Sequence, residues 1–484
     1  MKLKELLRET EVLSCTADPD LEIRGISFNS RTTQPGDLFV AVKGYESDGH
    51  RFIPMALEKG AAAVLCEDVP EGEGPYIQTK DSRLALAEIS CVWFGHPSRE
   101  LTMIGVTGTN GKTTVTTLLK HVLEQTIGAK VGLIGTNANL IGDEVLHTER
   151  TTPDAYSLQE LLRRMADAGC THVVMEVSSH SLALERVAGI TFDVALFTNL
   201  SQDHLDLHGT MDEYAAAKKK IFSQCRVGCI NLDDERAGFM AEGARCPIFT
   251  YSAQSNDADL TAKDVRLTAS GVRFAAVSGG ALAITKLAIP GLFSVYNALS
   301  VLAAAHCLGL PLADCAAALA TAQGVKGRME TVPTDGDYSI IIDYSHKPDA
   351  LEKALKALRP VTKGRLMVLF GCGGDRDRTK RPIMGAIAAE NSDLCIVTSD
   401  NPRTEEPEEI IREILAGIDR RKSTVKVICD RAEAIRWAID QARSGDVILL
   451  AGKGHEDYQV IGHEKRHMDE REIVADYLAK RKKT

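Results

Sequence analysis

The sequence predicts an α/β protein of three domains. A central P-loop-type, doubly wound, mainly parallel sheet carries a small antiparallel sheet and is flanked by an N-terminal α/β domain and a C-terminal Rossmann-like domain. Three observations lead to this. Short apolar runs alternate with amphipathic helical stretches along most of the chain, the pattern of strands joined by crossover helices. The 484 residues exceed what one core organises and match about three domains. A glycine-rich turn, Gly105-Val-Thr-Gly-Thr-Asn-Gly-Lys-Thr-Thr114, stands between an apolar run and a helical one, the setting in which such turns cradle phosphates.

Composition narrows the class. A hydrophobic content of 44% and a charged content of 26% are those of a globular chain. The net charge of −10 argues against a nucleic-acid surface. No apolar run reaches about 18 residues, so no membrane span is expected. The opening MKLKELLRETEVL lacks a signal-peptide core and reads as an amphipathic helix. The 12 cysteines form no CxxC pair, and Cys91, Cys307, Cys395 and Cys429 sit in apolar runs. They read as buried free thiols of a reducing, cytoplasmic compartment. Cys225 and Cys229 have no second pair nearby to make a metal site.

Residues 1–98 form the first predicted domain. Phe39–Val42 and Ala61–Leu65 read as strands, Phe52–Lys59 as the helix between them, and Ser82–Phe94 as a helix stopped by Gly95-His-Pro97. Polar clusters at 29–31, 35–37 and 44–50 read as ligand loops at strand ends or as solvated turns. Residues 99–332 form the second domain. Its strands are Leu101–Ile104, Val131–Ile134, His172–Val177 and Val194–Phe197, with helices at Val115–Gln125 and Ser157–Ala168. Between 248 and 290, alternating runs broken by Gly-Gly turns predict the small antiparallel sheet, and Val295–Leu308 and Leu312–Ala322 return to helix.

Residues 333–484 form the third domain, with strands at Ser339–Asp343, Leu366–Phe370, Leu394–Val397, Val425–Ile428 and Val447–Leu450. Four of these strands end in polar clusters, at 343–346, 371–377, 400–403 and 452–456, the edge where open parallel sheets bind ligands. The basic tail at Lys480–Lys483 reads as a frayed helix end.

Several residue groups carry chemistry. In the phosphate loop, Lys112 reaches the outer phosphates of ATP and a Thr hydroxyl, Thr113, coordinates Mg²⁺. The standard loop has glycine five residues before Gly111, and this chain has Val106 there. Glu176 ends an apolar strand, where a carboxylate needs a partner or a metal. His204 follows the next strand, and with Thr113 and Glu176 it suits one or two Mg²⁺ ions or serves a hydrogen-bonding role. Lys218-Lys-Lys220 reads from composition as solvated, with nothing lifting Lys218 above its neighbours. Arg376 and Arg403, with Glu456, suit a zwitterionic amino acid or form surface ion pairs.

The motifs GTNGKTT at 108–114, TTPDA at 151–155, MEVSSH at 175–180, NLSQDHLDLHG at 199–209, VYNALSV at 295–301, GRME at 327–330, DYSHKPDAL at 343–351, GGDRDRTKRP at 373–382, DNPR at 400–403 and AGKGHE at 451–456 resemble those of the Mur ligases, in order and over essentially the whole chain. These are the ATP-dependent amide ligases of peptidoglycan precursor synthesis. The resemblance is to the group that adds the third amino acid, and DNPR looks like its signature for meso-diaminopimelate.

The resemblance implies roles. Gly108, Thr109, Asn110, Gly111, Lys112, Thr113 and Thr114 bind ATP, with Asn297, Arg328 and His346. Phe28, Ser30, Tyr45, Glu46 and Ser47 hold the UDP part of the acceptor, and Thr151, Thr152, Ser178 and Arg186 its muramoyl-dipeptide. Lys218 becomes carbamylated (N6-carboxylysine) and joins Thr113, Glu176 and His204 around Mg²⁺; Lys112, Lys218 and His204 form the catalytic group. Arg376, Asp400, Asn401, Pro402, Arg403, Gly452 and Glu456 bind diaminopimelate. Leu184 and Arg150 depart from the pattern of some relatives near the acceptor.

The expected reaction joins UDP-N-acetylmuramoyl-L-Ala-D-Glu to meso-diaminopimelate through an acyl phosphate, carried out by a cytoplasmic monomer. The alternatives are the same ligation with L-lysine and a folylpolyglutamate synthetase-like ligase. A P-loop switch without amino acid dependence is the reading from another class.

Overall fold

The computed structural model describes residues 1–44, 47–72, 74–148, 150–268 and 270–481. The predicted acceptor residues Tyr45 and Glu46, and Lys482 and Lys483 of the basic tail, lie outside them. Two compact units make up the chain. One holds residues 1–251, 257–259 and 303–310, and the other 252–256, 260–302 and 311–484.

The first unit contains two sheets. In the five-stranded one the order is Ser14–Cys15, Tyr76–Gln78, Ala63–Cys66, Asp37–Val40, Gly25–Ser27. All neighbours run parallel except the first pair. Alternation decides its two faces. Leu38, Val40 and Leu65 meet Leu86 and Ile89 of the Ser82–Trp93 helix on one side, while Phe39, Val64 and Cys66 meet Ile53 and Ala56 of the Ile53–Glu58 helix on the other. Asp81 caps the longer helix by accepting from the Arg83 and Leu84 N–H groups.

The N-terminal expectation needs correction. Helix extends only over Leu3–Leu6. Its first N–H groups are taken by the Leu21 and Pro19 carbonyls, and Leu13 N–H is already bonded to Gln78. Strand pairing therefore claims the residues that local periodicity offered to a helix.

The second sheet of this unit runs Ile248–Ser252, Cys225–Asn231, Phe192–Phe197, Thr102–Thr107, His172–Glu176, Val131–Ile134, Asn139–Ile141, Glu144–Leu146. The first six strands are parallel and the last two form an antiparallel extension. Strand Ile248–Ser252 was expected to begin the antiparallel region but pairs parallel with Cys225–Asn231.

In the second unit, Leu260–Thr268, Gly271–Ser278 and Ala281–Leu287 form the small antiparallel sheet. Ala283, Thr285 and Leu287 point inward in strict alternation. A six-stranded sheet follows in the order Glu330–Val332, Ser339–Asp343, Val447–Ala451, Leu366–Phe370, Leu394–Val397, Thr424–Val427. Only the first pair is antiparallel. A hairpin of Tyr458–Ile461 and Glu464–His467, which the sequence reading did not foresee, completes the unit. Cys91 and Cys395 are buried as expected, but Cys307 and Cys429 are only half-buried, because one ends a helix and the other follows an edge strand.

Candidate active site

Strand Thr102–Thr107 delivers the chain into the turn at 108–111, and helix Lys112–Ile127 leaves it. Val106 belongs to the strand and is wholly buried, so the departure from the standard loop falls in the core, before the cradle begins. The turn is made by Gly108 at φ +140° and Gly111 at φ +87°. A side chain at Gly108 would place its Cβ 2.0 Å from Thr198 Oγ1, so the position needs glycine twice over. The loop after the next strand clasps this turn. Thr109 N–H donates to the Asn199 carbonyl at 2.8 Å, Asn110 N–H to Asn199 Oδ1 at 3.0 Å, and Asn199 Nδ2 and Thr198 Oγ1 both donate to the Asn110 carbonyl.

Two ammonium groups converge on one oxygen of this loop. Lys112 Nζ donates to the Gly108 carbonyl at 2.9 Å and to the Thr109 carbonyl at 3.1 Å, and Lys218 Nζ donates to the same Gly108 carbonyl at 2.9 Å. Sequence could not separate Lys218 from its neighbours, but the fold does. Lys218 is 1% exposed, while Lys219 and Lys220 reach solvent and pair with Glu242 and Glu185. Burial, followed by the charge of Lys112, pushes the Lys218 amine well below its ordinary pKa. The Lys112 ammonium beside this buried amine makes a site that favours an anion.

Glu176 is 1% exposed at the end of its strand. One carboxylate oxygen accepts from Thr136 N–H at 2.8 Å and the other from Thr136 Oγ1 at 3.1 Å. With Thr113 at the helix start, it supplies the hard oxygen donors Mg²⁺ prefers. No group of three or more His, Cys, Asp or Glu among the described residues is arranged as a metal site. His204 stands in the left-handed region at φ +53°, with Nε2 3.4 Å from Asp203 Oδ2 and its ring packed edge-on to His180.

The acceptor candidates gather beside Glu176. Thr152 Oγ1 donates to the Glu176 carbonyl at 2.8 Å, Ser178 N–H donates to Thr152 Oγ1 at 3.2 Å, and Arg186 Nη1 donates to the Thr152 carbonyl at 3.1 Å. Thr151 and Thr136 share a hydroxyl contact of 3.0 Å. Phe28 and Arg150 line a cavity of about 350 Å³ with Asp154 and Arg164. Arg186 has its pKa lowered by burial and then by the Arg150 charge, with Asp154 acting the other way. Ser30 is buried, and Leu184 ends the Ser179–Ala183 helix.

In the second unit, Arg328 and His346 meet at Tyr344. The Arg328 guanidinium lies 5.0 Å from the ring centroid and the His346 ring 4.5 Å from it. His346 Nδ1 contacts the Tyr344 carbonyl at 2.8 Å, and burial holds its imidazole down at about 4. Asn297 is buried on the separate Leu292–Cys307 helix.

The DNPR loop follows strand Leu394–Val397 and is clamped on two sides. Gly374 N–H donates to the Asn401 carbonyl at 2.9 Å, and Arg403 Nη1 donates to the Gly374 carbonyl at 2.7 Å. From the hairpin, Val460 N–H donates to Asn401 Oδ1 at 2.9 Å and Gln459 Nε2 to the Asp400 carbonyl at 2.6 Å. Arg403 itself is left-handed at φ +53°, held by backbone bonds to Val460 and Gly462. Gly373 lies between the two arginines, since a Cβ there would be 2.9 Å from Arg403 Nη1 and 3.9 Å from Arg376 Cγ. Asn401 Nδ2 donates to Glu456 Oε2 at 2.9 Å, and Gly452, at φ +110°, backs onto Asp400. Among the described residues neither Arg376 nor Arg403 pairs with a carboxylate, while Glu456 pairs with Lys453.

Three contributors escaped the sequence reading. Tyr214 hydrogen-bonds Thr109 at 3.1 Å and lays its ring 4.6 Å from Lys218 Nζ; its place four residues before Lys218 was the available signal. Arg381, wholly buried, joins Glu405 and Glu413 and donates to the Gly373 carbonyl, and the Glu405 carboxyl is driven down to about 2. The hairpin gave no signal beyond its polar alternation.

Family models match along the chain: "Mur ligase family, catalytic domain" over residues 22–91, "Mur ligase middle domain" over 106–305, and "Mur ligase, glutamate ligase domain" over 327–454. The UDP-N-acetylmuramoyl-L-alanyl-D-glutamate–2,6-diaminopimelate ligase of Caldanaerobacter subterraneus subsp. tengcongensis is 45% identical, covering 100% of both chains. That of Clostridioides difficile (strain 630) is 42% identical over 99% of this chain and 100% of its own. A solved structure of a ligase with the same name superimposes with a TM-score of 0.76 at 33% identity, covering 100% of both chains. On this end-to-end likeness, the chain belongs to the Mur ligase family.

Proposed function

We propose that this chain adds meso-2,6-diaminopimelate to the D-Glu γ-carboxylate of UDP-N-acetylmuramoyl-L-Ala-D-Glu, at the expense of ATP, to give the UDP-muramoyl-tripeptide of peptidoglycan precursor synthesis. The observation that carries this reading is the end-to-end identity of 42–45% with ligases of that name, in a chain where, among the described residues, Arg403 pairs with no carboxylate and its loop neighbour Asn401 binds Glu456. Residues 1–98 and the Thr151–Arg186 corner take the acceptor, 99–332 take ATP, and 333–484 take the amino acid. The protein works as a cytoplasmic monomer; no described helix is long and apolar enough to cross a membrane.

The γ-carboxylate of the acceptor attacks the γ-phosphorus of ATP, forming a C–O–P bond as the bond to ADP breaks. Lys112, at the mouth of the loop, offsets the charge gathering on the phosphoryl oxygens. The amine of diaminopimelate then attacks the acyl carbon, the tetrahedral intermediate expels phosphate, and the amide nitrogen gives up its extra proton. Arg376 and Arg403 grip carboxylate, Glu456 faces ammonium, and most of the acceleration is positioning. Thr113 and Glu176, with His204 and Lys218 once carbamylated, would hold Mg²⁺, which would supply charge neutralisation at the phosphates. The depressed amine of Lys218 favours that modification, because only the neutral form attacks CO₂, giving a carbamate and releasing a proton.

The test is to incubate the protein with ATP, Mg²⁺ and UDP-N-acetylmuramoyl-L-Ala-D-Glu plus either meso-diaminopimelate or L-lysine, and to weigh the product. A mass gain of one diaminopimelate less water is expected, with phosphate release requiring all three substrates. A lysine product, or phosphate release without amino acid, overturns the reading.

A further inference from the structure

Lys453 carries none of the roles above, although it stands between Gly452 and Glu456. Its side chain is completely shut off from solvent. An ammonium buried in this way is costly unless its hydrogens are taken and its charge is matched. Both conditions are met by the DNPR loop and its neighbours. Nζ donates to Asn401 Oδ1 at 2.6 Å, to the Tyr458 carbonyl at 2.7 Å and to Glu456 Oε2 at 3.2 Å, and it lies 3.3 Å from Asp400 Oδ1.

The arrangement fixes which way two side chains face. Asn401 Oδ1 accepts from both Lys453 Nζ and Val460 N–H, so the amide cannot flip, and Nδ2 must point to Glu456. The donors to Glu456 both fall on Oε2. Among the described residues none donates to Oε1, on a side chain that is 13% exposed. One oxygen of the carboxylate is therefore turned to the protein, and the other is left to accept from a ligand. Tyr458, whose carbonyl takes the third hydrogen, opens the hairpin that holds Asp400 and Arg403.

We infer that Lys453 is a positioning residue for the amino acid substrate: its buried ammonium holds Asn401 and Glu456 in the one orientation that presents Glu456 Oε1 to the substrate's ammonium group. This rests on the reading of the DNPR loop as the amino-acid site. Lys453 does not touch the substrate, so its loss acts on amino acid binding through Glu456 and leaves ATP and acceptor binding alone.

The test measures phosphate release by the full chain at varied concentrations of each substrate, for Lys453→Met, Glu456→Gln and the double variant. Lys453→Met is expected to raise the KM for meso-diaminopimelate by about 10- to 100-fold, the scale of losing a charge-assisted hydrogen bond, with the KM values for ATP and acceptor within about twofold. The double variant is expected to be little worse than the worse single one, because both act through one carboxylate. Additive effects, an unchanged KM for diaminopimelate, or an equal rise in all three KM values overturns the inference. Should Lys453→Met fail to fold, Lys453→Arg carries the test. It keeps the charge but not the point-donor geometry, and must still raise the diaminopimelate KM selectively. Arg403→Ala separates the two levels. If it raises that KM and Lys453→Met does not, the site stands and the inference falls; if neither does, both fall.

Discussion

Gly374→Ala probes the clamp on the DNPR loop with a single methyl group. Gly374 has an ordinary backbone conformation, so the test is purely one of space. The new Cβ would stand 1.9 Å from the Pro402 carbonyl oxygen and 2.8 Å from its carbonyl carbon, both backbone atoms that no rotamer change can move away. Tolerable contacts begin near 3.0 Å, so one of the two loops must retreat by about 1 Å. The retreat stretches the bonds from Gly374 N–H to Asn401 and from Arg403 to the Gly374 carbonyl together. Misplacing a substrate-gripping group by about 1 Å costs up to ~10²-fold, and overpacking of this kind costs ~1–3 kcal/mol. The misplacement sets the expected loss at about 10- to 100-fold in kcat/KM for diaminopimelate with the KM for ATP unchanged, and the overpacking is a cost in stability. The assay is phosphate release at saturating ATP and acceptor with the amino acid varied. Gly324→Ala, where a Cβ meets nothing within 4 Å, is the control. A wild-type response to diaminopimelate from Gly374→Ala would refute the close approach and the placing of the amino acid there.

Other perturbations test other parts of the molecule. Lys112→Ala is expected to lower ligation by at least ~10²–10³-fold with little change in melting temperature, since its bonds to the Gly108 and Thr109 carbonyls are local to the loop; a variant of near-normal activity would remove the loop from its central role. Burial holds the His346 imidazole at about 4 against an ordinary 6.5. An unfolded chain takes up that proton near 6.5 and the folded one only near 4, so this stability is complete above pH 6.5 and is lost as pH falls from 6.5 to 4. The full effect is on the order of 3 kcal/mol. Thermal melts of the apoprotein from pH 8 to 4.5 should show His346→Gln with a shallower acid decline than the wild type, and parallel profiles would sink the argument.

How much of this was legible beforehand follows from the range of the signals. Buried strands such as Leu366–Phe370, and the three isoleucines 340–342 of Ser339–Asp343, are continuous apolar runs, and a run is visible without knowing its neighbours. The glycine-rich turn and the polar clusters at strand ends were legible for the same reason. The opening segment misled because its periodicity is helical while its backbone partners, Leu21, Pro19 and Gln78, are remote in sequence. The hairpin at 458–467 was missed because its residues alternate without an apolar face to mark them.

By itself, the sequence determined the α/β class, the glycine-rich loop, the order of the motifs and the candidates for binding. Tertiary structure alone decided which of three adjacent lysines is buried against Gly108, that Val106 belongs to a strand rather than the cradle, that Lys453 is buried against Asp400 and Asn401, and that Arg381 ties Gly373 to Glu405 and Glu413. The physical reason is the same in each case. Burial, and the pairing that burial demands of a charged or polar group, depends on which distant segments the fold brings alongside.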